Sequence, residues 1–158
     1  MIDQVLQQHS NSYTFHEFEK ELANMPGVKI TGSEAFGLPE PNDVDHYCGS
    51  EDYGKIVLIL REKGVSIKES AYFKGVHVKL PTDETGIHGE VNVNIFCIPH
   101  EDLEHWEFAT EMIRHAVQKF PVFKSAASNR QARHSMFEML RSISKMSSAM
   151  AVQPKEVS

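Results

Sequence analysis

No stretch of the chain approaches the roughly 18 consecutive apolar residues that a membrane-crossing helix needs, so a transmembrane helix is not expected. The start, Met1 to Ser10, is polar and lacks the apolar core of a signal peptide. Cysteine is scarce: Cys48 and Cys97 are the two in the chain. Each falls inside a candidate strand, so a disulfide framework is not expected and a reducing, cytoplasmic setting is. Thiols packed in apolar strands are inert, which speaks against a Cys-His nucleophile. The nine histidines are scattered, with no Cys-x-x-Cys and no His-x-x-x-His on a common helix, so zinc-site spacing is missing. Basic residues are the minority, 16 against 22 acidic, for a net charge of -6. Affinity for phosphate backbones comes mainly from Lys and Arg, so no general DNA binding is expected.

What is present fits a single globular domain with one sizeable core: 158 residues, 41% hydrophobic and 24% charged. The charge is unevenly spread. Residues 1 to 110 hold 8 Lys/Arg against 19 Asp/Glu, whereas residues 111 to 147 hold 7 against 2. The basic part suits a polyphosphate or an RNA end brought to an acidic site, or it is a solvated helix face.

The chain is organised around the stretch from Val28 to Cys48. A short apolar run, Val28 to Thr31, leads into Gly32 and Ser33; a turn-rich span with Pro39 and Pro41 follows, then Asp43, Val44 and Asp45. Two carboxylates one residue apart on a strand point to the same face, because side chains alternate with a period of two. That arrangement suits a divalent cation. A Gly-Ser turn after a strand offers backbone N–H groups and a hydroxyl to phosphate oxygens. Together they read as a metal-nucleotide site, against the plainer reading that Gly, Ser, Asp and Pro are ordinary turn formers.

Phe15, Phe18, Leu22 and Met25 recur at helical spacing and predict a helix from Thr14 to Met25, stopped by Pro26-Gly27. A strand over Val28 to Thr31, a loop over Gly37 to Asn42 and a strand over Asp43 to Cys48 come next. Val44 and His46 are expected on the face away from the carboxylates. Gly49-Ser50 offers an N-cap to a helix carrying Tyr53, Ile56, Val57 and Leu60, ending at Gly64. Strands are predicted over Val65 to Lys68 and Tyr72 to Leu80, then a polar loop from Pro81 to His88.

The strand Glu90 to Ile98 puts Val91, Val93, Ile95 and Cys97 on one face and Glu90, Asn92 and Asn94 on the other. That polar row needs a reason. Lys74, His77 and Lys79 lie beside it as phosphate candidates or as ordinary solvent-facing residues. Pro99 ends the strand, and a helix to about Phe120 carries Leu103, Trp106, Ala109, Ile113, Val117 and Phe120 on its apolar stripe. Pro121 breaks it. Ser128 with Gln131 reads as a capping box for a last helix bearing Met136, Phe137, Leu140 and Ile143, and periodicity fades from Ser147. Arg130 and Arg133, at that helix's start, are phosphate candidates.

The motif residues resemble those of the nucleotidyltransferase superfamily (DNA polymerase β-like), in particular its minimal members. The shared elements are Gly-Gly/Ser followed by Asp-apolar-Asp/Glu; here they stand as Gly32, Ser33, Glu34, Ala35, Phe36, Gly37 and Asp43, Val44, Asp45. Phe36 stands where small members often carry Arg, and Asn42 where Ser often precedes the first Asp. These departures count against the antitoxin-type subgroup and leave the carboxylate pair untouched.

The resemblance implies a mixed-sheet α/β core with a helical C-terminal flank, and a nucleoside triphosphate bound with Mg2+ or Mn2+ as substrate. By position, Asp43 and Asp45 would bind the metal and act in catalysis. Gly32 and Ser33 would hold phosphates, with Asn92, Asn94, Lys79 and Arg130 as further nucleotide contacts. The superfamily's third carboxylate is replaced by Asn92 or Asn94, with Glu90 the only acid in that row and hence the third catalytic candidate. The expected division is a polar segment 1–13, a core 14–98, C-terminal helices 99–146 packed on the same domain, and a tail 147–158 without order. Two functions follow: transfer of a nucleoside monophosphate to a protein, RNA or small-molecule hydroxyl, or a degenerate member that binds nucleotide or protein without catalysis. The acceptor is expected to come with a partner or a second copy of the chain.

Overall fold

A computed structural model describes residues 13–38, 43–71 and 73–152. The predicted loose segments 1–12 and 153–158, and most of the predicted loop before Asp43, lie outside the described residues. The chain is α/β, as expected, and its contacts divide it into two compact units. One comprises the described residues of Met1–Ile30 and Asn42–Pro99, the other those of Thr31–Pro41 and His100–Ser158.

The first unit opens with α1 (Phe15–Ala23). Thr14 Oγ1 accepts from the Glu17 N–H at 3.1 Å, and Glu17 returns the bond to the Thr14 N–H at 3.2 Å. This capping box satisfies amides that a helix start leaves without partners. The strands β1 (Lys29–Thr31), β2 (Asp43–Cys48), β3 (Lys68–Glu69), β4 (Gly75–Pro81) and β5 (Glu90–Cys97) form one sheet in the order β1-β2-β5-β4-β3. Strands β2 and β5 run parallel, while β5-β4 and β4-β3 are antiparallel. A parallel pair needs a long crossover; here it contains α3 (Ser50–Glu62), with β3 and β4.

One sheet face is apolar. Val76, Val78, Leu80, Val93 and Ile95 are buried there with Phe18 and Leu22 of α1 and with Ile56 and Leu60 of α3. His46 shares this face, edge-on to Phe18 with ring centroids 6.2 Å apart. Cys48 and Cys97 are neighbours in register, both buried and both free thiols. The Pro81-to-His88 segment folds around Asp83, whose Oδ1 accepts from the Thr85 and Gly86 N–H groups at 3.0 and 3.2 Å.

The second unit begins where the sequence predicts continuation of the core. Thr31 and the one-turn helix α2 (Gly32–Ala35) belong with the C-terminal helices α4 (Leu103–Lys119), α5 (Pro121–Ala127) and α6 (Arg130–Val152). Packing gives the reason for this grouping. Phe36 and Leu38 are buried with Ile113, Val117 and Ala127, so the segment after Gly32 has its own apolar partners on α4 and α5.

Polar contacts reinforce that core. Trp106 Nε1 donates to Thr31 Oγ1 at 3.3 Å, Thr31 and Thr110 hydroxyls are 2.9 Å apart, and Thr110 donates to the Trp106 carbonyl at 3.0 Å. Since the Thr110 hydrogen is used on that carbonyl, Thr31 must donate to Thr110, and the three groups form a closed ring of hydrogen bonds. Helices α4 and α6 run antiparallel: Asp102 meets Lys145 at 3.0 Å, His105 meets Ser144 at 2.8 Å, and Trp106 packs against Phe137 with centroids 4.8 Å apart.

Several local expectations change here. Pro121, predicted to break a helix, also starts α5, where its fixed φ and missing N–H suit the first turn. Phe120 at that break is exposed rather than in the stripe. The cap of α6 is Asn129, whose Oδ1 accepts from the Ala132 N–H at 3.0 Å; Ser128 instead donates to the Lys124 carbonyl. The helix continues past Ser147 to Val152, correcting the predicted unordered tail over those residues. Ile143 is not in the core: it is exposed, as are Met139, Met146 and Met150.

Candidate functional site

The site is built on the polar face of the first unit's sheet. Register sets it. Asp43 pairs with Asn92, which pairs on its other side with Lys79; Asp45 pairs with Asn94, which pairs with His77. Residues directly opposite in neighbouring strands share a face, so two rows of side chains cross β2, β5 and β4. The alternation that sends Val93 and Val78 into the core turns these rows outward from it.

The rows are joined by one amide. Asn94 Nδ2 donates to Asp43 Oδ2 at 3.3 Å and to Asp45 Oδ1 at 2.9 Å. Asn94 Oδ1 lies 2.8 Å from His77 Nδ1. Asp43 and Asp45 thus reach the same atom, which the period of two requires of residues i and i+2. Carboxylates only accept, so the group between them must be a donor; the amide oxygen is left to face His77. The aspartates, both asparagines and His77 are half-buried, whereas Lys79 is exposed.

Glu90, the first residue of β5, is exposed and pairs with Pro81. It stands four residues from Asn94, roughly 13 Å along the strand. Register therefore puts Asn94, and not Glu90, across from Asp45. Gly32 and Ser33 open α2 in the second unit, with Gly32 at φ 74°, a left-handed conformation that glycine adopts without strain. Arg130 is the exposed first residue of α6, also in the second unit. The neighbouring Arg133 is engaged with its own unit, donating to the Ala127 carbonyl at 2.8 Å.

Two carboxylates and an amide oxygen make the hard-oxygen set that Mg2+ takes, with water for the rest of its coordination. Asp43 and Asp45 could hold one such ion; Asn94 turns its N–H to them here, and its oxygen would face an ion only with the amide turned over. Among the described residues no group of three or more His, Cys, Asp or Glu side chains is placed to hold a metal, so an ion here would rest on the two aspartates with amide and water oxygens. His46, directly after Asp45, takes no part. It is buried on the opposite face, its Nδ1 has no hydrogen-bond partner, and burial pushes its pKa down to about 4.

The His77–Asn94 contact escapes sequence reading. The alternation of β4 puts His77 on the polar side, but only the pairing of β4 with β5 places it beside Asn94.

Among the described residues no helix is long and apolar enough to cross a membrane. Neither a family model nor a curated protein matches the chain. Among solved structures, the chain is similar to one described as "Functional implications from the Cid1 poly(U) polymerase crystal structure", with 14% identity and a TM-score of 0.37. The match covers 61% of this chain and 30% of that one, so this chain spans less than a third of that structure's length.

Proposed function

We propose that the protein is a Mg2+- or Mn2+-dependent nucleotidyltransferase that moves a nucleoside monophosphate from a nucleoside triphosphate to a hydroxyl on a protein, an RNA end or a small molecule. The observation that carries this reading is that Asp43 and Asp45 meet at one amide nitrogen, at 3.3 and 2.9 Å. The Gly32-Ser33 and Asp43-Val44-Asp45 resemblance to the superfamily supports it. A cytoplasmic setting agrees with the free Cys48 and Cys97 thiols.

In the proposed reaction the acceptor oxygen bonds to the α-phosphorus, the bond from that phosphorus to the bridging oxygen breaks, and pyrophosphate leaves with the electron pair. A bound Mg2+ would neutralise phosphate charge and polarise the phosphoryl oxygens. Asp43 and Asp45 would hold the ion. Lys79, in register with Asn92 on the same face, draws the polyphosphate in, and Asn92 offers it a hydrogen bond. Gly32, Ser33 and Arg130 are phosphate candidates on their chemistry and the resemblance alone. Asn94 cannot take a proton from the attacking hydroxyl, since an amide is not a base at neutral pH. That proton passes to water, and slow turnover follows.

A second reading has its own observation. Asn94 occupies the point between the aspartates with a donor and gives both a hydrogen bond without any cation. This favours a nucleotide- or protein-binding module that keeps the fold and has lost the chemistry. Incubation with α-labelled triphosphates and Mg2+, with the protein itself, RNA and small alcohols as acceptors, separates the two. Label transfer that disappears in Asp43→Asn and Asp45→Asn supports the enzyme; triphosphate binding without transfer by the folded protein supports the module.

A further inference from the structure

We propose that His77 is a positioning residue for Asn94, and that the two reverse together when the aspartates take up a divalent cation. This rests on reading Asp43 and Asp45 as a cation site.

Hydrogen-bond accounting carries the argument. Asn94 Nδ2 serves both carboxylates, so its Oδ1, 2.8 Å from His77 Nδ1, has only acceptor capacity to offer. His77 Nδ1 must therefore carry a hydrogen in the cation-free protein. A cation between the carboxylates inverts the demand on the amide. It attracts the oxygen and repels the N–H dipole, so the amide turns over about its last side-chain bond. Nδ2 then faces His77, and two N–H groups cannot face one another. The neutral imidazole relieves the conflict by carrying its hydrogen on Nε2 and accepting at Nδ1. Solvent exchanges that hydrogen, and the proton count of the ring is unchanged.

The register makes the coupling tight. Asn94 lies directly between Asp45 and His77 on three adjacent strands, so neither end of its amide can turn without changing partners. An asparagine there gives the site two self-consistent hydrogen-bond patterns, one for the empty pair of carboxylates and one for the occupied pair. A carboxylate at that position has no N–H to give either the empty pair or His77, and so allows neither pattern.

The experiment is nitrogen NMR of the imidazoles in the full-length protein at about pH 8.5, two units above the ordinary histidine value, during titration with MgCl2 alone. The His77→Gln variant identifies the His77 signals by their loss. Calorimetry on the same samples reports whether Mg2+ binds. The expected result is an Nδ1-protonated His77 without Mg2+ that becomes Nε2-protonated in step with binding, while the tautomers of the other histidines stay constant. Mg2+ binding with an unchanged His77 tautomer, or an Nε2-protonated ring before any Mg2+ is added, overturns the coupling and leaves the cation site standing. Absence of Mg2+ binding overturns the cation site and the coupling with it.

Discussion

Asp45 and Asn94 lie side by side on parallel strands, with the Asn94 amide donating to the Asp45 carboxylate at 2.9 Å. The bond neutralises no charge, but it gives two neighbouring carboxylates a common donor.

Replacing that donor by an acid, Asn94→Asp, puts a third carboxylate against two others. Without divalent cation at neutral pH the variant is expected to lose about 1–3 kcal/mol, from the lost hydrogen bonds and the added repulsion. Millimolar Mg2+ should restore much of it, because a ligand that binds only the folded state stabilises it. Melting curves with and without MgCl2 check this; a variant as stable as the wild type without the cation contradicts the proposed role of Asn94.

Gly75 permits a close approach between β4 and its surroundings. A Cβ there would stand 2.1 Å from the Ile95 carbonyl oxygen and 2.7 Å from the Phe73 ring, which itself stacks on Phe96 with centroids 4.1 Å apart. Backbone has to shift to relieve such a contact. Gly75→Ala should cost about 1–3 kcal/mol or more in urea unfolding, whereas Gly54→Ala, with nothing within 4 Å of the new methyl, should be neutral or stabilising inside its helix.

The buried His46 ties stability to pH. Its pKa falls from 6.5 to about 4 on folding because burial penalises the charged ring. Between those values the unfolded chain binds the extra proton, so the stability contribution is complete above about pH 6.5 and declines as pH falls towards 4. The loss amounts to at most about 3 kcal/mol. His46→Phe, filling the same place beside Phe18, should show a smaller fall in urea midpoint between pH 7 and pH 4.5 than the wild type. Parallel profiles would exclude His46 as the source.

Cys48 should resist thiol reagents in the folded protein. Burial raises its pKa to about 12, with Cys97 and then Asp52 adding to the effect, and the thiolate is the reactive form. Iodoacetamide at pH 8 is expected to label it only after unfolding, as peptide mass spectrometry can follow. Rapid labelling of Cys48 without denaturant would mean that β2 and β5 open readily.

The ring of Trp106, Thr31 and Thr110 can be cut with Thr110→Val, which is nearly the same size. The change leaves the buried Thr31 hydroxyl without its acceptor and should cost about 1–2 kcal/mol. Trp106 is the only tryptophan, so its fluorescence reports the unfolding directly. No change in midpoint would show that the ring adds nothing to stability.

The strands and the apolar face were legible because alternation is local: Asp43 to Cys48 and Glu90 to Cys97 declare two faces through side-chain order alone. Helix ends were less so. Asn129 and Ser128 are both competent caps, and which of them faces the open amides depends on how the chain leaves α5. The exposed Met146 and Met150 carry no sign in their chemistry that the last helix runs on to Val152.

Sequence alone determined that Asp43 and Asp45 share a side, since residues i and i+2 of any strand do. Tertiary structure decided what stands opposite them. Pairing β2 with β5 brings Asn94 across from Asp45 and leaves Glu90 two residues beyond Asn92, and pairing β5 with β4 adds His77. Those partners are 17 to 51 residues apart in the chain, and no local preference encodes register between such distant segments. It is fixed by which alignment buries the valines and isoleucines of the other face together.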